Sequence, residues 1–470
     1  MPEIFQQATC TLAFLGADEE SNLAIQTLMQ IGLREDLEPE SSQWPEDLPR
    51  CPLSWGEQGV PSAEDPVWGE VMSLFRRPWF RRAWVVQEII VASNIKVVCG
   101  QYNIQWDDLV HVMERVRKAL LTTEIDQSAW EPFLALNELR RWEKKSVRWP
   151  ILRLLESFRH VDSKLRRDRF YALLGIASDG HLEDFEPNYH CPFELVVQKF
   201  ASALIVRLIK DGSAMELLYR AGMGSDPGRF PSWMPDWTTK QWNCLHESSG
   251  RGVTYGASEA RPERIECVFG PGGLVNELRI EGYFVDEIEK VSDVANESHN
   301  RLEFFWGVEK MLGTKKMRSV YTDDALQKLL WKVPIADSMH PEVASSSDVS
   351  LETSYEAFRK RAKRARHAQR YKTMPKQRER EKPYLSVLDK FPGWRFIITK
   401  KRSLCGIAPN NVQARDKLYV FSGGDVPFVL RESQDRKGAF QLVGGCYVSG
   451  IMYGQALEFE DVTKTIVSIH

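Results

Sequence analysis

No two of the eight cysteines stand at C-x-x-C spacing, and none of the nine histidines forms an H-x3-H pair. These absences remove the zinc-ribbon, thioredoxin-type and helical His-pair readings, so no metal ligand set is expected. P-loop and G-x-G-x-x-G glycines are missing too, which leaves a nucleotide fold unsupported and no cofactor expected. The most apolar internal stretch, residues 200–209, carries Arg207 and is followed by Lys210. It is far shorter than the roughly 20 residues of a bilayer span. Residues 1–10 have neither a basic start nor a long apolar run, so no secretory leader is expected. A soluble intracellular chain, cytoplasmic or nuclear, follows. The net charge of −3 is too small to imply a nucleic-acid or membrane partner through a whole-protein field.

Aromatic residues are abundant: 15 Trp and 22 Phe argue for packed cores over disorder. At 470 residues the chain has room for two or three domains. Most cysteines sit among apolar neighbours, as in Val97-Val98-Cys99, and read as small buried hydrophobes.

Local patterns order the chain coarsely. Residues 11–15 read as a buried strand closed by Gly16, and residues 23–31 as an amphipathic helix. A Pro, Glu and Ser-rich loop covers 35–66, with a helix at 68–75 after it. Pro78 fits the first turn of a further helix through Trp79, Ala83, Val86 and Ile90. Residues 95–104 read as two short strands turning at Gly100, with a helix from Trp106 to about Leu121. Residues 168–175 look like a capped helix closing on a C-terminal glycine. Pro231, Trp233, Pro235 and Trp237 form an extended stretch that is not helix interior. Strand-like runs at 251–256, 264–268 and 277–285 surround the turn at Gly270. Residues 290–350 read as helical, and past Pro383 the pattern turns to β, with a hairpin signal at 422–425.

Several separated stretches resemble the heterokaryon-incompatibility (HET) proteins of filamentous fungi. Met1-Pro-Glu-Ile-Phe-Gln-Gln-Ala followed by Leu12-Ala-Phe-Leu-Gly looks like the family's "M-x-x-I-Y-x-x-A … V-W-L-G". Arg77-Pro-Trp-Phe-Arg-Arg-Ala-Trp-Val-Val-Gln-Glu88 is similar to "W-F-x-R-x-W-x-x-Q-E", carried by Trp79, Arg82, Trp84, Gln87 and Glu88. Gly100 sits where the family has "C-G". Asp168-Arg-Phe-Tyr-Ala-Leu-Leu-Gly resembles "D-K-V-Y-A-L-L-G", carried by Asp168, Tyr171 and Gly175. Phe230-Pro-Ser-Trp-Met-Pro-Asp-Trp resembles "L-P-S-W-V-P-D-W", carried by Trp233, Pro235, Asp236 and Trp237. The stretch with Gly424, Asp425, Leu430 and Arg431 looks like the C-terminal β-region of long members. The family's opening "Y-x-A-L-S-Y-x-W-G" strand and "C-I-N-Q" segment have no counterpart, so an N-terminally truncated domain is expected.

The resemblance implies non-self recognition linked to fungal programmed cell death, acting through protein–protein contact. It further implies a likeness to Toll/interleukin-1 receptor (TIR) domains, some of which cleave NAD with a glutamate, an activity expected to be lost in a truncated chain. Glu88 is the single candidate catalytic acid: one turn from Trp84, its carboxylate is partly desolvated. Its structural alternative is an ion pair with Arg81, two turns back on the same helix, or with Arg82. One carboxylate without a paired acid or base carries little mechanism, so the chain reads as non-enzymatic. Trp79, Trp84, Trp233 and Trp237 read as packing residues more than as a ligand cage. The run 355–382 holds twelve Lys/Arg against three Glu. Arg359, Lys363, Arg366 and Arg370 fall at helical spacing there: a solvated, partly disordered helix, or else an anion contact that binds anionic lipid or nucleic acid or serves as a nuclear import signal. Aromatics do not alternate with them, so sequence-specific nucleic-acid recognition is not expected.

The expected architecture is therefore α/β, with a partial HET domain and TIR-like sheet at 1–121. A mainly helical middle with some strands follows at 122–350, then a basic helical or disordered linker at 351–385 and a small antiparallel β module at 386–470.

Overall fold

The computed structural model describes residues 2–16, 20–36, 60–62, 64–120, 127–181, 183–222, 229–239, 245, 255–294, 301–337, 350–367 and 375–470. Helices and sheets mix throughout, and the chain divides into two compact units, residues 1–196 and 197–470.

The first unit opens with α1 (Pro2–Gln7), β1 (Thr11–Gly16) and α2 (Glu20–Asp36). After α3 (Val67–Phe75) and α4 (Ala83–Val91) come β2 (Ile95–Cys99) and β3 (Tyr102–Gln105). β1 pairs parallel to β2 with Thr11 opposite Ile95, and β2 pairs antiparallel to β3. A parallel pair needs a long crossover, which α2, α3 and α4 supply. Alternation decides the sheet's faces. Ala13, Leu15, Ile95, Val97 and Cys99 are buried, whereas Leu12 and Phe14, on the opposite face of β1, are 65% and 56% exposed.

The helices complete this unit: α5 (Trp106–Ala119), α6 (Glu131–Lys144), α7 (Ile151–Ser157), α8 (Asp168–Leu174) and the start of α9 (Phe193–Asp211). On α5, Trp106, Leu109, Val112, Met113 and Val116 are buried, the 3.6-residue stripe of a core-facing helix. An aromatic cluster joins Phe75, Phe80, Trp106, Trp130 and Phe133, with ring centroids 4.9–6.4 Å apart. Buried Arg140 donates from α6 to the carbonyls of Ile89, at 2.7 Å, and Ala92, at 2.5 Å. Acceptors that a helix end leaves unpaired are thereby satisfied at the close of α4.

One local expectation is corrected. The helix read from Pro78 onward is broken: Pro78–Arg81 is a 3-10 turn, and Arg82 has extended backbone (φ −72°, ψ 127°) before α4 begins. The cause is a bridge to Asp162, whose carbonyl accepts from Ala83 N at 2.9 Å. Arg81 and Glu88 therefore do not share one helix face. Gly175 does close α8 as its C-terminal cap, with ordinary helical dihedrals (φ −67°).

The second unit continues α9 into α10 (Met215–Leu218), β4 (Ile265–Phe269) and the 20-residue β5 (Val275–Val294). Helices α11 (Arg301–Leu312), α12 (Lys315–Val320), α13 (Asp323–Lys332), α14 (Leu351–His367) and α15 (Pro375–Leu388) precede the remaining strands. These are β6 (Arg395–Thr399), β7 (Cys405–Ala408), β8 (Lys417–Phe421), β9 (Phe428–Glu432), β10 (Ala439–Gly445), β11 (Tyr447–Val448) and β12 (Lys464–Ile469).

The expected β region is there, and its longest strand, β5, contains the strand-like run 277–285 of the middle segment but continues to Val294, where helix was expected from 290. β5 pairs with β12 and also with β8, and the path β5-β12-β10-β9-β8 returns to β5 as a closed ring. Closure pairs strands that an open sheet would leave as edges. β6, β7 and β11 extend from β5 along its continuation. Val285, Ile288, Ile397, Leu418, Val420, Val429 and Val443 form the core. The Gly-rich signals hold: Gly272 and Gly423 adopt φ of 76° and 84° in the β4–β5 and β8–β9 turns. Residues 251–254 lie outside the described residues.

Candidate functional site

In the first unit the family-like residues meet where α4 packs on α8. The Trp84 indole donates to Asp168 Oδ2 at 3.3 Å, and the Tyr189 hydroxyl donates to Asp168 Oδ1 at 2.9 Å. Asp168 is buried, so both its oxygens are satisfied by neutral donors rather than by a cation. Burial and the Asp168 carboxylate push the Tyr189 hydroxyl up to about 12. Tyr171, buried one turn along α8, accepts from Asn188 N at 3.1 Å and donates to Asn188 O at 3.0 Å. Tyr171 and Tyr189 stack edge to face at 5.3 Å.

Gln87, one turn on from Trp84 along α4, is buried, and a Cβ on Gly175 would stand 2.9 Å from its amide nitrogen and 2.6 Å from Pro2 Cγ. Close approach, not a turn, is what requires the glycine. The Gln87 side-chain oxygen accepts no hydrogen bond among the described residues. Glu88 is half-buried; burial raises its carboxyl above the ordinary range, opposed by the nearby Arg82 charge. Arg82 is exposed, and half-buried Trp79 stacks edge-on to Phe80 at 5.1 Å. Gly100 turns β2 into β3 with φ 56°, its N–H donating to Gly16 O at 2.8 Å. This arrangement locks a loop and two helices together.

In the second unit, Trp233 and Trp237 are fully buried. Asp236 Oδ1 accepts from Thr238 N at 2.9 Å and from the Thr238 hydroxyl at 2.5 Å, so it builds its own turn. Pro235 O accepts from Trp237 N at 3.1 Å in the same turn. Gly424 and Asp425 offer their carbonyls to Ser258 N and Ala257 N at 3.1 and 3.0 Å. Asp425 N donates to the Tyr219 hydroxyl at 2.7 Å. Leu430 is buried in the ring, and Arg431 grips buried Asp416 with two hydrogen bonds of 2.9 Å.

Of the basic run, Arg359 pairs with Glu309 at 3.3 Å and also bonds Gln327. Lys363 is exposed. Arg370 lies outside the described residues, and Arg366 is placed on α14 by its backbone alone. Tyr189, Asn188, Asp416 and Arg140 escaped the sequence reading, because each acts across a distance no local period encodes. Among the described residues no group of three or more His, Cys, Asp or Glu could hold a metal ion, and no helix is long and apolar enough to cross a membrane.

Residues 1–88 match the family model described as heterokaryon incompatibility protein (HET), and residues 355–464 match that of the Het-6 beta-barrel domain. The chain is 23% identical over 448 residues to "Heterokaryon incompatibility protein 6, OR allele" of Neurospora crassa. That similarity covers 81% of this chain, which spans 64% of the relative's length. No solved structure matches. The chain thus carries a match to the heterokaryon incompatibility (HET) model followed, in that order, by one to the Het-6 beta-barrel model.

Proposed function

We propose that this protein acts in the cytoplasm in non-self recognition between fused fungal cells, through protein–protein contact, with programmed cell death as the output. The observation that carries this reading is the use of the motif side chains. Trp84, Asp168 and Tyr171 are engaged in hydrogen bonds and Gln87 and Gly175 in close packing, a use that supports a structural part in holding a contact surface over one in a reaction centre. The relative's name, heterokaryon incompatibility protein, supports the biological setting. The test is to express the chain in a fungal strain lacking it and fuse that strain with a panel of tester strains. Growth arrest with vital-dye uptake in some pairings is expected; normal growth in every pairing sinks the proposal.

A second reading, a TIR-like NAD-cleaving effector, is favoured by one observation, the burial-raised carboxyl of Glu88. Nicotinamide release by the purified chain, lost in Glu88→Ala, supports it, and no release removes it.

A further inference from the structure

Two basic runs about 80 positions apart lie side by side in the first unit. Arg76, Arg77, Arg81 and Arg82 occupy one, with no acid among residues 76–82. Lys164, Arg166, Arg167 and Arg169 occupy the other, whose one acid is Asp168. The Arg82–Asp162 bridge sets the two backbones next to each other, with Ala83 N donating to Asp162 O at 2.9 Å and Asp162 N to Arg81 O.

Asp168 is buried and its oxygens accept from Trp84 and Tyr189, so it makes no direct contact with these cations. Arg166 reaches Glu194 only at 3.8 Å between exposed side chains, a contact that contributes little. Arg167 donates to a neutral acceptor, Tyr189 O. Among the described residues, Arg81, Arg82 and Lys164 meet no carboxylate at ion-pair distance. Set against them are the exposed Asp162 at the bridge and half-buried Glu88 near Arg82, so in a chain of net charge −3 the five cations Arg81, Arg82, Lys164, Arg166 and Arg167 still outnumber the acids here. In its middle stands Leu165, 47% exposed and flanked by Lys164, Arg166 and Arg167.

We infer that the surface built by Arg81, Arg82, Lys164, Leu165, Arg166 and Arg167 docks an acidic polypeptide segment that also supplies an apolar side chain. Guanidinium forks match carboxylates in pairs, which gives such a contact orientation as well as attraction. Leu165 selects a polypeptide over a phosphate polymer. A nucleic-acid backbone offers nothing to an exposed leucine, whereas an apolar side chain on a peptide covers it and excludes water around the ion pairs. The inference rests on the reading of this protein as one that works by protein–protein contact, and it names the chemistry of the partner.

The test uses the full chain and fluorescence anisotropy with three labelled probes of equal charge: a glutamate peptide interrupted by leucines, an all-glutamate peptide and single-stranded DNA. The leucine-containing peptide is expected to bind tightest. Arg82→Glu with Arg166→Glu weakens it by about tenfold or more, and added salt weakens it as well. Leu165→Ser lowers affinity for that probe alone, and Lys118→Glu, on exposed α5 surface, changes nothing. Unchanged affinity in the double variant overturns the inference. DNA that binds as tightly as the peptide, indifferent to Leu165→Ser, overturns it in favour of phosphate. In tester fusions, a double variant that loses peptide binding yet still triggers arrest overturns the assignment of this surface to the incompatibility contact, leaving the contact reading intact. A wild-type chain that binds the peptide but never triggers arrest keeps the surface and sinks the incompatibility reading.

Discussion

Trp84 and Asp168, 84 positions apart in sequence, are joined by an indole-to-carboxylate hydrogen bond of 3.3 Å. Each belongs to a separate family-like motif, and the bond ties α4 to α8. The carboxylate's other oxygen takes the Tyr189 hydroxyl, so one buried group organises two helices and the loop at 183–192.

Removing that group leaves two donors without an acceptor. Asp168→Ala is expected to destabilise the first unit by about 1–3 kcal/mol, the range for stranding buried polar groups. Urea unfolding of the variant measures this, and a double-mutant cycle with Trp84→Phe should reveal coupling between the two sites. Additive effects would mean that the 3.3 Å contact contributes nothing.

Glu88 predicts a pH dependence. Its carboxyl titrates above the ordinary range because it is partly buried, so the folded chain binds that proton more tightly than the unfolded one. Its stabilising contribution is fully present below the unfolded pKa and is lost as pH rises through the folded value. Glu88→Gln removes the dependence, and its melting temperature at neutral pH should exceed that of the parent. Identical slopes of melting temperature against pH in both proteins would refute this.

Gly175 has ordinary helical dihedrals, so alanine there meets no backbone strain. The added methyl instead overlaps Pro2 Cγ and the Gln87 amide, at 2.6 and 2.9 Å. Gly175→Ala is expected to cost about 1–3 kcal/mol through overpacking. Thermal unfolding checks it, and trimming Gln87 to Ser in the same chain should recover part of the loss.

In the second unit, Arg431 and Asp416 form a two-pronged pair in which Asp416 is 3% exposed. Arg431→Met strands the carboxylate, and a loss of about 3–5 kcal/mol is expected. Arg431→Lys should not restore the parent's stability, because an ammonium cannot reproduce the fork. Denaturant midpoints of the two variants decide the matter.

Much of the architecture was legible along the chain. The β2–β3 hairpin at Gly100, the helix from Trp106 and the strands near 395–399, 417–421 and 428–432 all follow from local period and turn chemistry. The family resemblance came from contiguous motifs, which one sequence displays directly. Other features were not legible. The break at Arg82 arises from a partner 80 positions away, Asp162, and nothing in the run from Trp79 to Ile90 announces it.

By itself, then, the sequence determined most of the local strands and helices and the motifs that resemble the HET proteins, because dihedral preference and side-chain period act over a few residues. Tertiary structure alone decided that β5 joins the C-terminal strands in a closed ring and that Gly175 is required by Gln87 and Pro2. It alone decided that Asp168 serves Trp84 and Tyr189, and that two basic runs share one surface. Such pairings depend on distances through space, and hydrogen bonds and steric contacts carry no trace of sequence separation.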